Sequence, residues 1–184
     1  MKAVESPQKE VYTYEDYKKL PEGAPYQLIR GKLIMTAAPS TYHQTISLKL
    51  VMKLANFVAD KDLGQVLYAP VDVYFGPTET YQPDIIFISK GRLDIIEAGR
   101  INGAPDLIVE ILSPASAYYD LKRKFRVYET QGVKEYWLVD PEEKSVAVYE
   151  NKGTNFGLAQ EVSQEGKVGS KVLPHLELEV KDIF

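Results

Sequence analysis

Two isolated carboxylates lie in strongly apolar stretches of the sequence, where a charged side chain is unusual. Asp84 stands in the run Gln-Pro-Asp-Ile-Ile-Phe-Ile at 82–88, and Glu110 stands in Pro-Asp-Leu-Ile-Val-Glu-Ile-Leu-Ser at 105–113. Both runs are typical of buried strands, where an ionised carboxylate is costly unless it is paired, hydrogen-bonded or bound to a cation. Together with the lysine-rich helix signal at 120–125, the two acids suggest a divalent-metal site.

The second of these strands is predicted to lie in the middle of a sheet. Side chains alternate along a strand, so Glu110 shares its face with Ile108 and Leu112, and both faces of the strand are apolar. Asp106, on the same face, begins the strand and is expected to be a solvated end. For any one acid alone, the alternative is a hydrogen bond to a backbone N–H or a pair with lysine or arginine.

A helix predicted at about 116–131, ending at Gly132, supplies a cation. The stripe expected to face the sheet has helical spacing and consists of Leu121, Phe125 and Tyr128. At about 100° per residue, Lys124 lies roughly 60° to one side of this stripe and Lys122 roughly 90° to the other. Lys124 is therefore the lysine best placed to reach the sheet, with Asp120 one turn before it. The alternative is a solvated basic face with a weak Asp120–Lys124 surface pair.

The elements that must position these residues follow from periodicity and turn signals. A short helix is predicted at about 13–19, and a hairpin or a bulged strand pair is predicted at 26–35 around Arg30-Gly31. A longer helix is predicted at about 40–60, capped by Ser40 and ending near Gly64. Strands are predicted at 65–68, 71–75, 84–89, 107–112, 135–140, 145–150, 157–163 and 176–180. This order indicates an α+β fold, or an α/β fold with a mixed central sheet.

Composition sets the broad class of the protein. The chain has 184 residues with 45% hydrophobic and 26% charged residues, which predicts a single globular domain over 1–184 with a flexible tail at 1–10. The sequence has no cysteine, which excludes disulfides and thiolate metal sites and fits a reducing cytosol. It has neither a signal-peptide pattern nor an apolar run of the ~20 residues that span a bilayer. We therefore expect a cytoplasmic protein without a membrane partner.

Net charge and histidine content limit the classes of function that the chain can have. The net charge of −4 argues against a non-specific DNA coat protein, which would be basic. A metal-dependent nuclease can still be acidic, because its bound cation reverses the local sign of charge. Two histidines, His43 and His175, are too few and too dispersed for a histidine-rich zinc cluster.

Several sequence blocks occur together in a fixed order. They are Tyr26-Gln-Leu-Ile-Arg-Gly-Lys-Leu, Pro39-Ser-x-x-His43, Gln82-Pro-Asp84, Pro105-Asp-Leu-Ile-Val-Glu-Ile-Leu-Ser-Pro, Asp120-x-x-x-Lys124 and Gly132-Val-Lys-Glu-Tyr-Trp-Leu-Val-Asp-Pro141. Over about 12–150 the chain thus resembles the Uma2 family of endonucleases, within the PD-(D/E)xK nuclease superfamily. The resemblance implies an α/β/α, restriction endonuclease-like core with a mixed central sheet flanked by helices, followed by a C-terminal β extension.

The resemblance also implies roles for individual residues. Asp84 matches the metal-binding aspartate of the family, and Glu110 matches the second acidic ligand. The superfamily motif places its lysine two residues after that acid, where this chain has Leu112, so the resemblance implies that the lysine has moved to Lys124. The implied activity is Mg²⁺-dependent hydrolysis of DNA phosphodiesters, with Mn²⁺ as a substitute and the Ile111 carbonyl as a further ligand. A homodimer or higher homo-oligomer is expected, because a two-fold dimer can cut both strands.

Other residues are candidates for accessory roles. Gln27 stands where the family commonly has glutamate, which removes one negative charge from the implied site. His43 matches a family position, and its alternative role is helix capping or a core hydrogen bond. Asp72 lies in a strand run and is expected to line the same cleft. Tyr136-Trp137 is predicted to pack in the core or against another subunit rather than to stack on bases.

Two other functions remain open at this point. The first is a catalytically weak or inactive nuclease-fold protein that binds nucleic acid or a protein partner, which Gln27 and the acidic pI favour. The second is a purely structural or interaction domain whose acids are satisfied internally. Divalent-metal binding separates these alternatives from the endonuclease.

Overall fold

The computed structural model describes residues 9–113, 119–153 and 155–184, without the side chains of residues 119 and 120. Its α-helices are α1 (Tyr14–Tyr17), α2 (Thr41–Asp60) and α3 (Phe125–Gln131), and a π-helical turn at Tyr119–Lys124 leads directly into α3. The strands are β1 (Tyr26–Ile29), β2 (Lys32–Met35), β3 (Gly64–Tyr68), β4 (Val73–Gly76), β5 (Glu79–Tyr81), β6 (Ile85–Ser89), β7 (Ile96–Glu97), β8 (Arg100–Asn102), β9 (Leu107–Ile111), β10 (Glu135–Asp140), β11 (Ser145–Asn151), β12 (Phe156–Ser163), β13 (Lys167–Gly169) and β14 (Glu177–Glu179).

The central sheet is mixed, as the sequence predicts. Its strand order is β12-β11-β10-β9-β6-β3. Strands β9 and β10 are parallel, whereas the other neighbours in this sheet are antiparallel. The parallel pair lies in the middle of the sheet. Nearly all of its residues are apolar, because both of its faces are covered.

Two apolar clusters cover the two faces of this sheet. On one face, α2 packs its buried stripe against alternate residues of β6, β9 and β10; the stripe consists of Ile46, Leu50, Leu54 and Val58. On the other face, Tyr128 of α3 packs with Ile86, Ile108 and Tyr136. Trp137 points to the α2 side, and both Tyr136 and Trp137 are buried. The predicted core packing of Tyr136-Trp137 is therefore confirmed.

A second six-stranded sheet lies against the α3 side of the core. Its strand order is β2-β1-β5-β4-β8-β7, and Val73, Phe75, Tyr81 and Ile101 belong to the same apolar cluster as Tyr128. The β1–β2 hairpin turns where expected, with positive φ at Arg30 (51°) and Gly31 (71°), the backbone geometry that suits a two-residue hairpin loop. Strands β5, β7 and β8 were not predicted, because runs of two or three residues carry too little periodicity.

Helix boundaries follow local chemistry in most places. Ser40 caps α2 by accepting a hydrogen bond from the backbone N–H of His43 at 3.1 Å, and Gly132 ends α3 with φ 86°. Gly64 does not terminate α2 as predicted, because it begins β3 with φ 147°. A Cβ at Gly64 would collide with the backbone of Ile88, so close strand pairing explains this glycine.

The C-terminal residues extend the fold with strands. The predicted strands at 157–163 and 176–180 correspond to β12 and β14, and β13 pairs with β14 in a separate two-stranded sheet. Of the predicted flexible tail, residues 1–8 lie outside the described part, and the ammonium group of Lys9 bonds Asp16 at 2.7 Å. No helix among the described residues combines the length and hydropathy needed to cross a membrane.

Candidate active site

Glu110 lies within β9, and Asp84 directly precedes the neighbouring strand β6 of the central sheet. In the antiparallel β6–β9 pair, Ile85 lies opposite Val109 and Ile86 lies opposite Ile108. Continuing this register by one residue places Asp84 opposite Glu110. Residues directly opposite each other on antiparallel strands have close Cβ atoms. The extended register thus sets the two residues opposite each other, Glu110 within β9 and Asp84 directly before β6.

Asp84 is held by backbone and by a histidine. Its Oδ2 accepts a hydrogen bond from the Ile111 N–H at 2.8 Å, and His43 Nε2 lies 3.3 Å from the same oxygen. His43 Nε2 also lies 3.2 Å from the Ile111 carbonyl oxygen. Because a carbonyl oxygen can only accept, this contact requires the proton on Nε2. His43 thus contributes to the α2 cap through its backbone N–H, and its ring contacts Asp84 and the Ile111 carbonyl.

Glu110 is held by two donors that share one of its oxygens. Lys124 Nζ lies 2.9 Å from Glu110 Oε1, and the Tyr128 hydroxyl donates to the same oxygen at 2.7 Å. The side chains of Glu110 and Lys124 are only 3% and 5% exposed. A buried ion pair offsets its desolvation cost only with good geometry and additional hydrogen bonds, and Tyr128 supplies one.

A π-helical turn precedes α3 and changes which residues of this segment face the sheet. A π turn closes i to i+5 rather than i to i+4, so 100° per residue does not hold before residue 125. Leu121, predicted to face the sheet, is 49% exposed, and that part of the prediction is wrong. Lys124 and Tyr128 instead share the buried face. Asp120 lies in the same turn, and its side chain is outside the described part.

The other accessory candidates form a network beside Asp84. Gln27 Oε1 accepts the backbone N–H of Gln82 at 3.1 Å, two residues before Asp84. Asp72 Oδ1 accepts from the Tyr17 hydroxyl and from Gln82 Nε2, each at 2.9 Å. Burial and the Asp72 carboxylate raise the pKa of Tyr17, so its hydroxyl remains a donor. Asp72 therefore supports the segment that leads into Asp84, and its described contacts do not include Glu110.

Asp106, a buried acid like Glu110, is bonded to groups outside the Asp84–Glu110 site. The expectation of a solvated strand end is wrong, because Asp106 is 1% exposed. Arg92 bonds its Oδ1 at 2.9 Å, Lys134 at 2.7 Å, and the Ser89 N–H bonds Oδ2 at 2.8 Å. Burial acts to raise the pKa of Asp106, but these three partners outweigh it and hold the pKa below its ordinary value.

Glu135 is a further buried acid, which the sequence argument did not single out. Its Oε1 accepts from Trp137 Nε1 at 2.7 Å, and its Oε2 accepts from the Lys171 N–H at 2.7 Å. Glu135 thereby fastens the C-terminal segment to the central sheet. It also stands in an apolar run, so this feature alone does not separate structural acids from acids of the site.

The donor set around Asp84 and Glu110 suits a hard cation. Two carboxylates and the Ile111 carbonyl offer oxygen ligands, and Mg²⁺ typically takes one or two carboxylates while it keeps several waters. Among the described residues, no three His, Cys, Asp or Glu side chains cluster to hold a metal. The oxygen donors at Asp84, Glu110 and Ile111 are of the type that hard divalent cations take.

Comparison with known proteins gives the family. The Uma2 family, described as "Putative restriction endonuclease", matches residues 14–181. The chain belongs to the Uma2 family. Its match spans the central sheet, the second sheet and the C-terminal strands.

The chain is also similar to a solved structure and to a further protein sequence. The crystal structure of a "putative nuclease belonging to DUF820" from Anabaena variabilis ATCC 29413 has a TM-score of 0.78 and 26% identity, covering 94% of this chain and 97% of that chain. An uncharacterized protein, sll1609, from Synechocystis sp. is 26% identical over 141 residues, which are 76% of this chain and 79% of its own. The predicted restriction endonuclease-like fold, with helices on a mixed sheet, is thus confirmed.

Proposed function

We propose that this Uma2 protein is a metal-dependent DNA endonuclease in which Asp84 and Glu110 hold Mg²⁺ and Lys124 assists hydrolysis of the phosphodiester. Two observations support the proposal. The β6–β9 register, extended by one residue, sets Asp84 opposite Glu110, and Lys124 Nζ lies 2.9 Å from Glu110 Oε1. Membership in a family of restriction endonucleases supports nucleic acid as the substrate.

Asp84, Glu110 and the Ile111 carbonyl would be the protein ligands of the ion. When bound, Mg²⁺ or its substitute Mn²⁺ supplies Lewis-acid chemistry at the scissile phosphate and lowers the pKa of water. His43 keeps both the Asp84 carboxylate and the Ile111 carbonyl in place through its Nε2 contacts. The site residues are therefore oriented by the fold before substrate arrives, which is what fast chemistry requires.

Lys124 provides the positive charge of the chain itself. Its ammonium is buried against Glu110 on the rigid central strand β9. A positive charge fixed in a site with little water stabilises negative charge that develops on a phosphate far better than a mobile surface lysine does. Lys124 would act in this way or orient the attacking water.

A weakly active or inactive binding protein is the second candidate. Gln27 favours it, because the amide contributes no charge while its Oε1 is bonded to the Gln82 N–H. A glutamate at this position could accept the same bond and add a negative charge beside Asp84. The two candidates differ in whether the remaining pair of acids binds the metal strongly enough for turnover.

The assembly and location of the protein are part of the same proposal. We keep the homodimer or higher homo-oligomer as the working state, because cutting of both strands is simplest with two copies. We keep the cytoplasm as the location, because a chain without cysteine fits a reducing compartment. Light scattering of the purified chain with and without DNA tests the assembly.

Nicking of supercoiled plasmid in Mg²⁺ or Mn²⁺ tests the activity. The wild-type protein should nick the plasmid, and Asp84→Asn, Glu110→Gln and Lys124→Met should each lower the rate at least a hundredfold. Lys122→Met, on an exposed residue of the same turn, serves as the matched control and should keep the rate. Equal loss in Lys122→Met and Lys124→Met would indicate a general basic patch and contradict the role given to Lys124.

A further inference from the structure

The hydroxyl of Tyr128 is an unassigned polar group at the centre of the site. Spacing alone places Tyr128 in the apolar stripe of the helix, yet its hydroxyl donates to Glu110 Oε1 at 2.7 Å. This oxygen also bonds Lys124 Nζ at 2.9 Å. A tyrosine that served only to fill the core would not need this bond, because phenylalanine fills almost the same volume.

The ring of Tyr128 is fixed by aromatic neighbours from three strands. Its centroid lies 5.4 Å from that of Phe75 on β4, 5.8 Å from that of Tyr81 on β5 and 5.3 Å from that of Tyr136 on β10. These distances lie within the range of favourable aromatic pairs, and Tyr128 is fully buried. Its hydroxyl therefore stays at one point relative to the central sheet.

This fixed hydroxyl restricts the carboxylate of Glu110. Lys124 ends in a flexible chain, so its ammonium could follow the carboxylate through a rotation, whereas the Tyr128 hydroxyl could not. With Oε1 held by both donors, the orientation of the Glu110 carboxylate is set relative to the central sheet. Residues that orient a metal ligand in this way commonly change metal affinity or activity by 10- to 100-fold when they are altered.

We propose that Tyr128 is a positioning residue of the nuclease site, whose hydroxyl orients Glu110 toward the metal. This inference rests on the proposed function, because it assigns Tyr128 an effect on metal binding through Glu110. It differs from a packing role in one measurable respect. Loss of the hydroxyl should weaken metal binding even when the ring, the fold and both acids are intact.

Tyr128→Phe tests the inference, with Tyr81→Phe as the matched control. Tyr81 is also fully buried, its ring contacts that of Tyr128, and its hydroxyl donates to a different carboxylate, Glu79 Oε2, at 2.6 Å. Mn²⁺ affinity is measured by titration calorimetry, and the Mn²⁺-induced rise in melting temperature is measured against the metal-free form of each variant. Tyr128→Phe should bind Mn²⁺ at least about tenfold more weakly and show a smaller rise, whereas Tyr81→Phe should match the wild type.

The outcomes separate this inference from the proposed function. If Tyr128→Phe binds Mn²⁺ like the wild type while Asp84→Asn does not bind, the positioning role is wrong and the metal site stands. If Tyr81→Phe weakens binding as much as Tyr128→Phe, the loss is a general effect of removing a buried hydroxyl, and the role is again wrong. If the wild type itself binds no Mn²⁺, the proposed function fails and the role of Tyr128 fails with it.

Discussion

Lys124 Nζ lies 2.9 Å from Glu110 Oε1, although the two residues are 14 positions apart and belong to different elements. The position two residues after Glu110 is Leu112, which packs against the apolar core. The positive charge beside Glu110 therefore comes from Lys124 at the start of a helix and not from a residue of β9 itself. Lys124 and Tyr128 are four residues apart at the start of α3, so α-helical spacing places both on the same buried face.

Replacing this lysine should reveal an uncompensated charge. Lys124→Met leaves Glu110 buried without its counter-ion, and such changes cost about 3–5 kcal/mol of unfolding free energy. Saturating Mn²⁺ should restore part of this loss, because the cation compensates the carboxylate. The exposed Lys122→Met should stay within about 0.5 kcal/mol of the wild type. Urea unfolding with and without Mn²⁺ measures both effects, and equal stability of the two variants would contradict a buried ion pair.

Much of this arrangement could be predicted from the sequence, for physical reasons. The stripe of α2, the caps at Ser40 and Gly132, and the hairpin at Arg30-Gly31 depend on neighbouring residues, and they lie where periodicity and turn chemistry place them. The buried position of Glu110 also follows from strand alternation.

The parts that could not be predicted depend on long-range contacts. The partners of Asp106 come from the end of β6 and the helical turn after it, at Ser89 and Arg92, and from Lys134 before β10. The spacing of residues along the sequence does not predict these contacts. The Tyr128 hydroxyl likewise meets Glu110 only once helix and sheet have packed. The prediction that Leu121 faces the sheet is wrong because it assumes α-helical spacing, whereas residues 119–124 form a π-helical turn.

Glu135 provides a test of which buried acids belong to the site. Glu135→Gln weakens the bonds to Trp137 Nε1 and to the Lys171 N–H, which should lower the unfolding free energy by about 1–3 kcal/mol. Mn²⁺ affinity and plasmid nicking, measured below the melting range, should remain at the wild-type level. Loss of Mn²⁺ binding equal to that of Glu110→Gln would show that any buried acid has this effect, and the assignment of the site would be wrong.

Asp106 should contribute to the loss of folding stability at low pH. Its pKa in the folded protein lies below the ordinary value of 3.8, so its stabilising effect is complete above that value and is lost as the pH falls below it. Asp106→Asn should therefore lose less stability than the wild type between about pH 6 and about pH 3. Urea unfolding across this range measures the difference, and identical slopes for both proteins would contradict the lowered pKa.

Gln27 should limit the strength of metal binding. Gln27→Glu keeps the acceptor for the Gln82 N–H and adds one negative charge near Asp84, which should tighten Mn²⁺ binding about fivefold, or ~1 kcal/mol. Gln65→Glu, on an exposed residue of the edge strand β3, adds the same charge elsewhere and should have no effect. Calorimetric titration compares them, and equal affinities of Gln27→Glu and the wild type would remove the argument for a missing third acid.

Anomalous diffraction from a crystal soaked in Mn²⁺ tests the central claim most directly. We expect one ion within about 2.0–2.3 Å of a carboxylate oxygen of Asp84 and of Glu110, and no ion at these residues in crystals of Asp84→Asn. An ion bound instead at Asp106 or Glu135, or no ion beside Asp84 and Glu110 at saturating Mn²⁺, would contradict the account.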